Sequence, residues 1–226
     1  MLPTNARLIY ENPLQSETDV AGFKMEGEAQ VTFPEGKMRM ENLLDPSLGQ
    51  ESNFVYWCPE SFPENIAISW EFKPLREPGL AILFFGAAGM NGEDLFDSKL
   101  KVRKGMYRQY HHGDIHAYHV SYFRRRYKDV DRKFHTCNLR KSYGFHLVCQ
   151  GADPIPSCED VQEPYQLLLL KRNGNIKFYI NELLIFDWQD DGETWGPLIK
   201  GGRIGFRQMA PLIAEYADFK VYEIEG

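Results

Sequence analysis

Apolar residues along this chain recur in short alternating or continuous runs rather than at helical spacing. The clearest runs cover 53–58, 66–72, 80–85, 115–123, 134–139, 145–149, 166–170, 176–180, 183–188, 203–206 and 217–222. Runs of this length, punctuated by Gly, Pro and Asn, predict an all-β antiparallel sandwich. One domain is expected over 1–226, because all-β domains commonly reach this size and no Pro/Gly/Ser linker, repeat or low-complexity tract divides the chain. Asn173-Gly174 between two such runs predicts a two-residue hairpin, since both residues tolerate positive φ.

A second turn is expected at Ser142-Tyr143-Gly144. With Gly144 in the left-handed position, Arg140 faces His146 and Asn138 faces Val148. Thr136, Asn138, Arg140, His146 and Gln150 then share a polar face opposite Cys137, Leu139, Phe145, Leu147 and Cys149. In the run after Asp114 the even positions (His116, Tyr118, Tyr122, Arg124) form the more polar side. The odd side places His119 among apolar neighbours, either as a core histidine or as a desolvated base.

Charge sharpens the picture. The chain carries 26 Lys or Arg against 32 Asp or Glu, a net −6. Residues 101–146 alone hold twelve basic residues against three Asp, and all six His, so the remainder is −15. So acidic a remainder argues against nucleic-acid binding, whereas a local basic, His-rich segment suits a small anionic ligand. No apolar run approaches membrane-spanning length, and the first residues lack a secretory pattern. Cys58, Cys137, Cys149 and Cys158 show no metal-type spacing and read as reduced thiols, so a cytoplasmic location is expected.

The segments Ile176 to Trp188, Gly202-Arg-Ile-Gly-Phe206 and Tyr216 to Tyr222 resemble the closing strands of concanavalin A-like jelly rolls. Phe54-Val-Tyr-Trp-Cys-Pro-Glu60, Gly92-Glu-Asp-Leu-Phe-Asp97, Ser121-Tyr-Phe-Arg-Arg125, Thr136-Cys-Asn-Leu-Arg-Lys-Ser142 and Ile204-Gly-Phe-Arg-Gln-Met-Ala-Pro211 resemble the bacterial YesU-like family over nearly the whole chain. The resemblance implies a concanavalin A-like sandwich with a concave saccharide groove, and a setting in breakdown of the pectic polysaccharide rhamnogalacturonan. It implies no catalytic residues.

Three functions follow as expectations. The first is an enzyme acting on an acidic oligosaccharide by β-elimination, in which His119 or His146 takes the C5 proton, Tyr122 serves as acid, and Arg124, Asn138 and Arg140 bind the carboxylate. The second is a non-catalytic sugar-binding module. The third is a glycosidase built on Glu93, Asp94 or Asp97, since hydrolysis needs two carboxyls. Trp195 is expected to be an exposed sugar platform. No cofactor and no metal are expected: His111-His112-Gly-Asp114-Ile-His116 lacks diagnostic spacing, and Asp187, Asp190, Asp191 and Gly192 read as a polar turn in preference to a calcium loop. The sequence does not fix an oligomeric state.

Overall fold

The structure, a computed structural model, describes residues 2–125 and 135–226. Arg126, Lys128, Asp129, Asp131, Arg132, Lys133 and Phe134 of the basic segment lie outside the described residues. Fifteen strands and one short α-helix are described, besides three 3-10 helices: β1 (Arg7–Asn12), β2 (Lys24–Glu26), β3 (Ala29–Thr32), β4 (Met38–Asn42), β5 (Phe54–Phe62), β6 (Ile66–Arg76), β7 (Gly79–Gly89), α1 (Arg108–His111), β8 (Ile115–Arg125), β9 (Thr136–Ser142), β10 (His146–Ala152), β11 (Tyr165–Arg172), β12 (Asn175–Ile180), β13 (Leu183–Gln189), β14 (Gly202–Met209) and β15 (Ile213–Glu223).

These strands form two antiparallel sheets, as the alternation predicted. The first runs β13-β12-β11-β6-β15-β4-β3, with β1 also paired to β15; the second runs β10-β9-β8-β7-β14-β5-β2. The two strands that follow all the others in sequence therefore occupy sheet interiors, β15 between β6 and β4 and β14 between β7 and β5. The Asn173-Gly174 hairpin forms as expected: Arg172 pairs with Asn175, and both turn residues have positive φ.

Period-two alternation splits the second sheet into two faces. Phe54, Tyr56, Cys58, Leu83, Phe85, Tyr118, Val120, Leu139 and Phe206 point toward the first sheet and join Trp70, Phe72, Phe178 and Tyr216 in the main core. Val55, Trp57, Ile82, Phe84, Ile115 and Ala117 point outward. This outer face is covered in part by the β7–β8 connection, whose Leu95 and Tyr110 are buried on it. The reading of β8 is thus corrected: its even side, Tyr118 and Tyr122 included, faces the inter-sheet core. Tyrosine buries its ring there because each hydroxyl finds a partner. Tyr118 donates to Asp190, and Tyr122 accepts from Trp70 Nε1 at 3.1 Å.

The core also encloses an ion pair. Lys141 Nζ lies 2.6 Å from Asp190, and both side chains are buried. Lys171 is buried nearby, donates to the Glu64 carbonyl at 2.8 Å, and has its pKa pushed down to about 8 by burial, against the pull of Glu64 and Asp190. Among the described residues, no helix is long and apolar enough to cross a membrane.

Candidate functional site

A groove of about 530 Å³ opens on the outer face of the second sheet, where β7 and β5 begin and β8 and β14 end. Its volume is that of a small-ligand site. Asn138 and Arg140 reach it because Cys137 and Leu139, their neighbours on β9, are committed to the core. Ser121 reaches it in the same way from β8.

Arg124 arrives by a different route. Strict alternation would send it inward with Tyr122, but Phe123 adopts φ of 47° and the β7–β8 register shifts there. Tyr122 and Phe123 consequently both enter the core, and Arg124 turns into the groove. There its Nη1 donates to Thr136 Oγ1 at 3.1 Å. The Asn138 amide lies between Arg124 Nη1 at 3.2 Å and the Gln150 side chain at 2.7 Å.

Arg140 is half-buried, with its guanidinium carbon 3.7 Å from the Phe145 ring centroid and Nη1 donating to the Phe145 carbonyl at 2.9 Å. The neighbouring Arg125 is neutralised by Asp153 at 3.2 Å and Glu77 at 3.7 Å. No Asp or Glu is among the described residues lining the groove.

Three groups that the sequence reading did not single out complete the site. Tyr107, just ahead of α1, places its hydroxyl 2.6 Å from His119 Nε2. Arg207 of β14 is fully buried, with its guanidinium carbon 4.7 Å from the Tyr107 ring centroid. Its Nη2 donates to Gln50 Oε1 at 3.2 Å and the Gly105 carbonyl at 3.1 Å, while Nε and Nη1 have no partner among the described residues. The available signal was alternation: with Phe206 in the core, Arg207 must face outward. Tyr107 lies in a turn and Gln50 in the 3-10 helix Pro46–Ser52, where no such alternation exists.

Electrostatics follow from burial and from these arginines. Burial pushes the Tyr107 phenol up to about 12, against Arg207, Arg140 and Arg124. His119, fully buried, is held well below the usual imidazole range by burial and then by Arg140, His111 and Arg207. Its ring is therefore neutral at pH 7, a desolvated histidine against Phe84 and Tyr107.

The remaining expected site residues lie elsewhere. Tyr122 is fully buried between the sheets against Phe72 and Phe178. Tyr122→Phe is expected to cost about 1 kcal/mol of stability through the lost Trp70 hydrogen bond and to leave ligand binding in the groove unchanged. Denaturant midpoints and titration calorimetry check the two halves.

His146 does not face Arg140. The turn is Tyr143-Gly144-Phe145, one residue later than expected, so His146 pairs with Lys141 and Leu147 with Arg140. The His146 ring packs 4.5 Å from Trp195, which is 40% exposed in the loop after β13. Phe145 takes the groove side, where the sequence had placed His146.

Glu93 and Asp94 lie at the opposite end of β7 from the groove. Glu93 accepts from Asn91 N at 2.9 Å and Asn91 Nδ2 at 3.0 Å, which holds its pKa low; Asp94 pairs with Arg203 at 2.8 Å. Asp187, Asp190 and Asp191 are engaged separately, by Lys177, by Lys141 and by the backbone N–H groups of Glu193 and Thr194. No group of three or more His, Cys, Asp or Glu placed to hold a metal occurs among the described residues.

Comparison with known proteins places the chain. Uncharacterized protein YesU of Bacillus subtilis (strain 168) is 51% identical over 215 residues, 95% of each chain. The solved structure of a Bacillus subtilis protein of unknown function with a galectin-like fold matches with a TM-score of 0.93 and 49% identity over 98% of both chains. The Emp46p carbohydrate recognition domain, potassium-bound, shares the fold at TM-score 0.61 and 14% identity, over 94% of this chain and 96% of that one. Residues 7–221 match the family described as domain of unknown function DUF1961, and with this extent of agreement the chain belongs to it.

Proposed function

We propose that this protein binds an acidic, uronic-acid-containing oligosaccharide in the groove, with pectic rhamnogalacturonan fragments as the class of ligand. One observation carries the proposal: the groove presents Arg140 and Asn138 beside the aromatic rings of Tyr107 and Phe145, with Arg207 beneath, and no carboxylate among its described lining. A guanidinium recognises a carboxylate, and aromatic faces stack on sugar rings. The carbohydrate recognition domain among the fold neighbours supports a saccharide as the ligand. Four unpaired thiols support a reducing compartment such as the cytoplasm. Among the described residues lining this groove there is no carboxyl pair for two-carboxyl hydrolysis.

Titration calorimetry with rhamnogalacturonan and glucuronate oligosaccharides tests this against neutral galactan. Acidic ligands are expected to bind with affinity that falls as salt rises. Arg140→Ala should weaken binding by about 10- to 100-fold, the range expected for a charge-assisted hydrogen bond. Equal affinity for galactan, or an unaffected Arg140→Ala variant, would sink the proposal.

A further inference from the structure

We infer that Tyr107 and His119 form a proton-transfer pair that makes the groove a syn-eliminating lyase site for 4-linked uronates; this rests on the saccharide reading above. The Tyr107 hydroxyl is 2.6 Å from His119 Nε2. Tyr107 lines the groove, whereas His119 is wholly buried behind it. The imidazole therefore reaches a ligand only through the phenol. Its Nε2 faces the hydroxyl at hydrogen-bond distance, and because the site disfavours a lasting imidazolium it takes the phenolic proton only in concert with arrival of the C5 proton on the same oxygen.

Elimination also needs the uronate carboxylate neutralised so that its C5 proton becomes acidic, and Arg140 with Asn138 stands on the adjacent strand for that role. Developing phenolate charge on Tyr107 is opposed by the Arg207 guanidinium, 4.7 Å from the ring centroid. The balance closes without a co-reactant. The Tyr107 oxygen takes the C5 proton as its own proton passes to His119 Nε2. The C5 electron pair then forms the C4=C5 double bond and expels O4, and O4 takes the proton from Tyr107. His119 returns its proton to Tyr107, restoring the pair.

One phenol acting as both base and acid reaches only one face of the sugar ring. That geometry suits uronates whose C5–H and C4–O bonds lie on the same face, as in glucuronate. Galacturonate, with the two bonds on opposite faces, would need a second group across the ring. Tyr107 is the catalytic residue, and His119, acting through it, is a positioning residue.

The test pairs binding with turnover on saturated 4-linked glucuronate oligosaccharides and on oligogalacturonate. Calorimetry reports binding, and ultraviolet absorbance reports the unsaturated product. Wild-type protein is expected to bind both and to turn over glucuronate. Tyr107→Phe should bind glucuronate within about threefold of wild type, which also shows that it folds, while kcat falls by about 100-fold or more. His119→Gln should lower kcat and leave KM unchanged.

Binding of glucuronate without unsaturated product overturns the elimination and leaves the saccharide reading standing. Absence of binding to either oligosaccharide overturns both. Undiminished turnover by Tyr107→Phe overturns the assignment of Tyr107, and preferential turnover of oligogalacturonate overturns the syn geometry.

Discussion

Replacing Asp190 with alanine is expected to lower the unfolding free energy by about 3–5 kcal/mol, the usual cost of leaving one member of a buried ion pair alone. Lys141 would lose a partner at 2.6 Å in a site where its side chain is only 2% exposed. Tyr118 would lose the acceptor of its hydroxyl. The effect should depend on pH with a definite sign. Lys171 titrates near 8 and is held up partly by Asp190, so the variant moves it lower still. Below that value the core holds excess buried positive charge; as pH rises through it, the lysine sheds its proton in the folded state and the deficit shrinks. Denaturant unfolding of both proteins from neutral to alkaline pH checks size and direction. A deficit that grew with pH would contradict this account. A double variant, Asp190→Leu with Lys141→Met, should recover most of the loss, because apolar replacement of a whole buried pair is often neutral or stabilising.

Arg207→Met is expected to act in the opposite sense on stability. Arg207 is fully buried, and among the described residues it makes no ion pair and its Nε and Nη1 have no hydrogen-bond partner. Burying a lone guanidinium is costly even with the two hydrogen bonds to Gln50 and Gly105. An apolar side chain of similar length should therefore raise the unfolding free energy by about 1–4 kcal/mol. The same change removes a positive charge from beneath the groove, and affinity for an acidic oligosaccharide should drop roughly tenfold, or about 1.4 kcal/mol. Stability gained together with binding lost is the signature of a residue kept for function. A variant that lost stability and bound normally would mark Arg207 as a structural group instead.

Most of the sandwich could be read from alternation. Each of the eleven expected runs marks one of the strands β5 to β15 among the described residues, because their branched and aromatic residues fill two well-separated faces. The four strands not anticipated, β1 to β4, are short and mostly half-buried, so their polar residues blur the period. Site residues followed the same logic. Asn138 and Arg140 were legible because Cys137 and Leu139 anchor the phase of β9. Phe123 broke the phase of β8 with a left-handed residue that no propensity would favour, and so carried Arg124 out of the core. A turn displaced by one residue exchanged His146 for Phe145 at the groove. The polar tips of Tyr118 and Tyr122 disguised an inward face as an outward one.

The placement of β14 and β15 inside the two sheets bears on how the chain is made. A ribosome delivers β4, β5, β6 and β7 long before the strands that separate and join them. Until residues 202–223 emerge, β6 and β7 each present an unsatisfied edge. Neither sheet can close around a nascent chain, so the groove, bounded on one side by Met209 and Ala210, does not exist before nearly all of the sequence has been synthesised. Pairings this distant in sequence place the molecule among slow folders, with exposed strand edges as its chief hazard during synthesis.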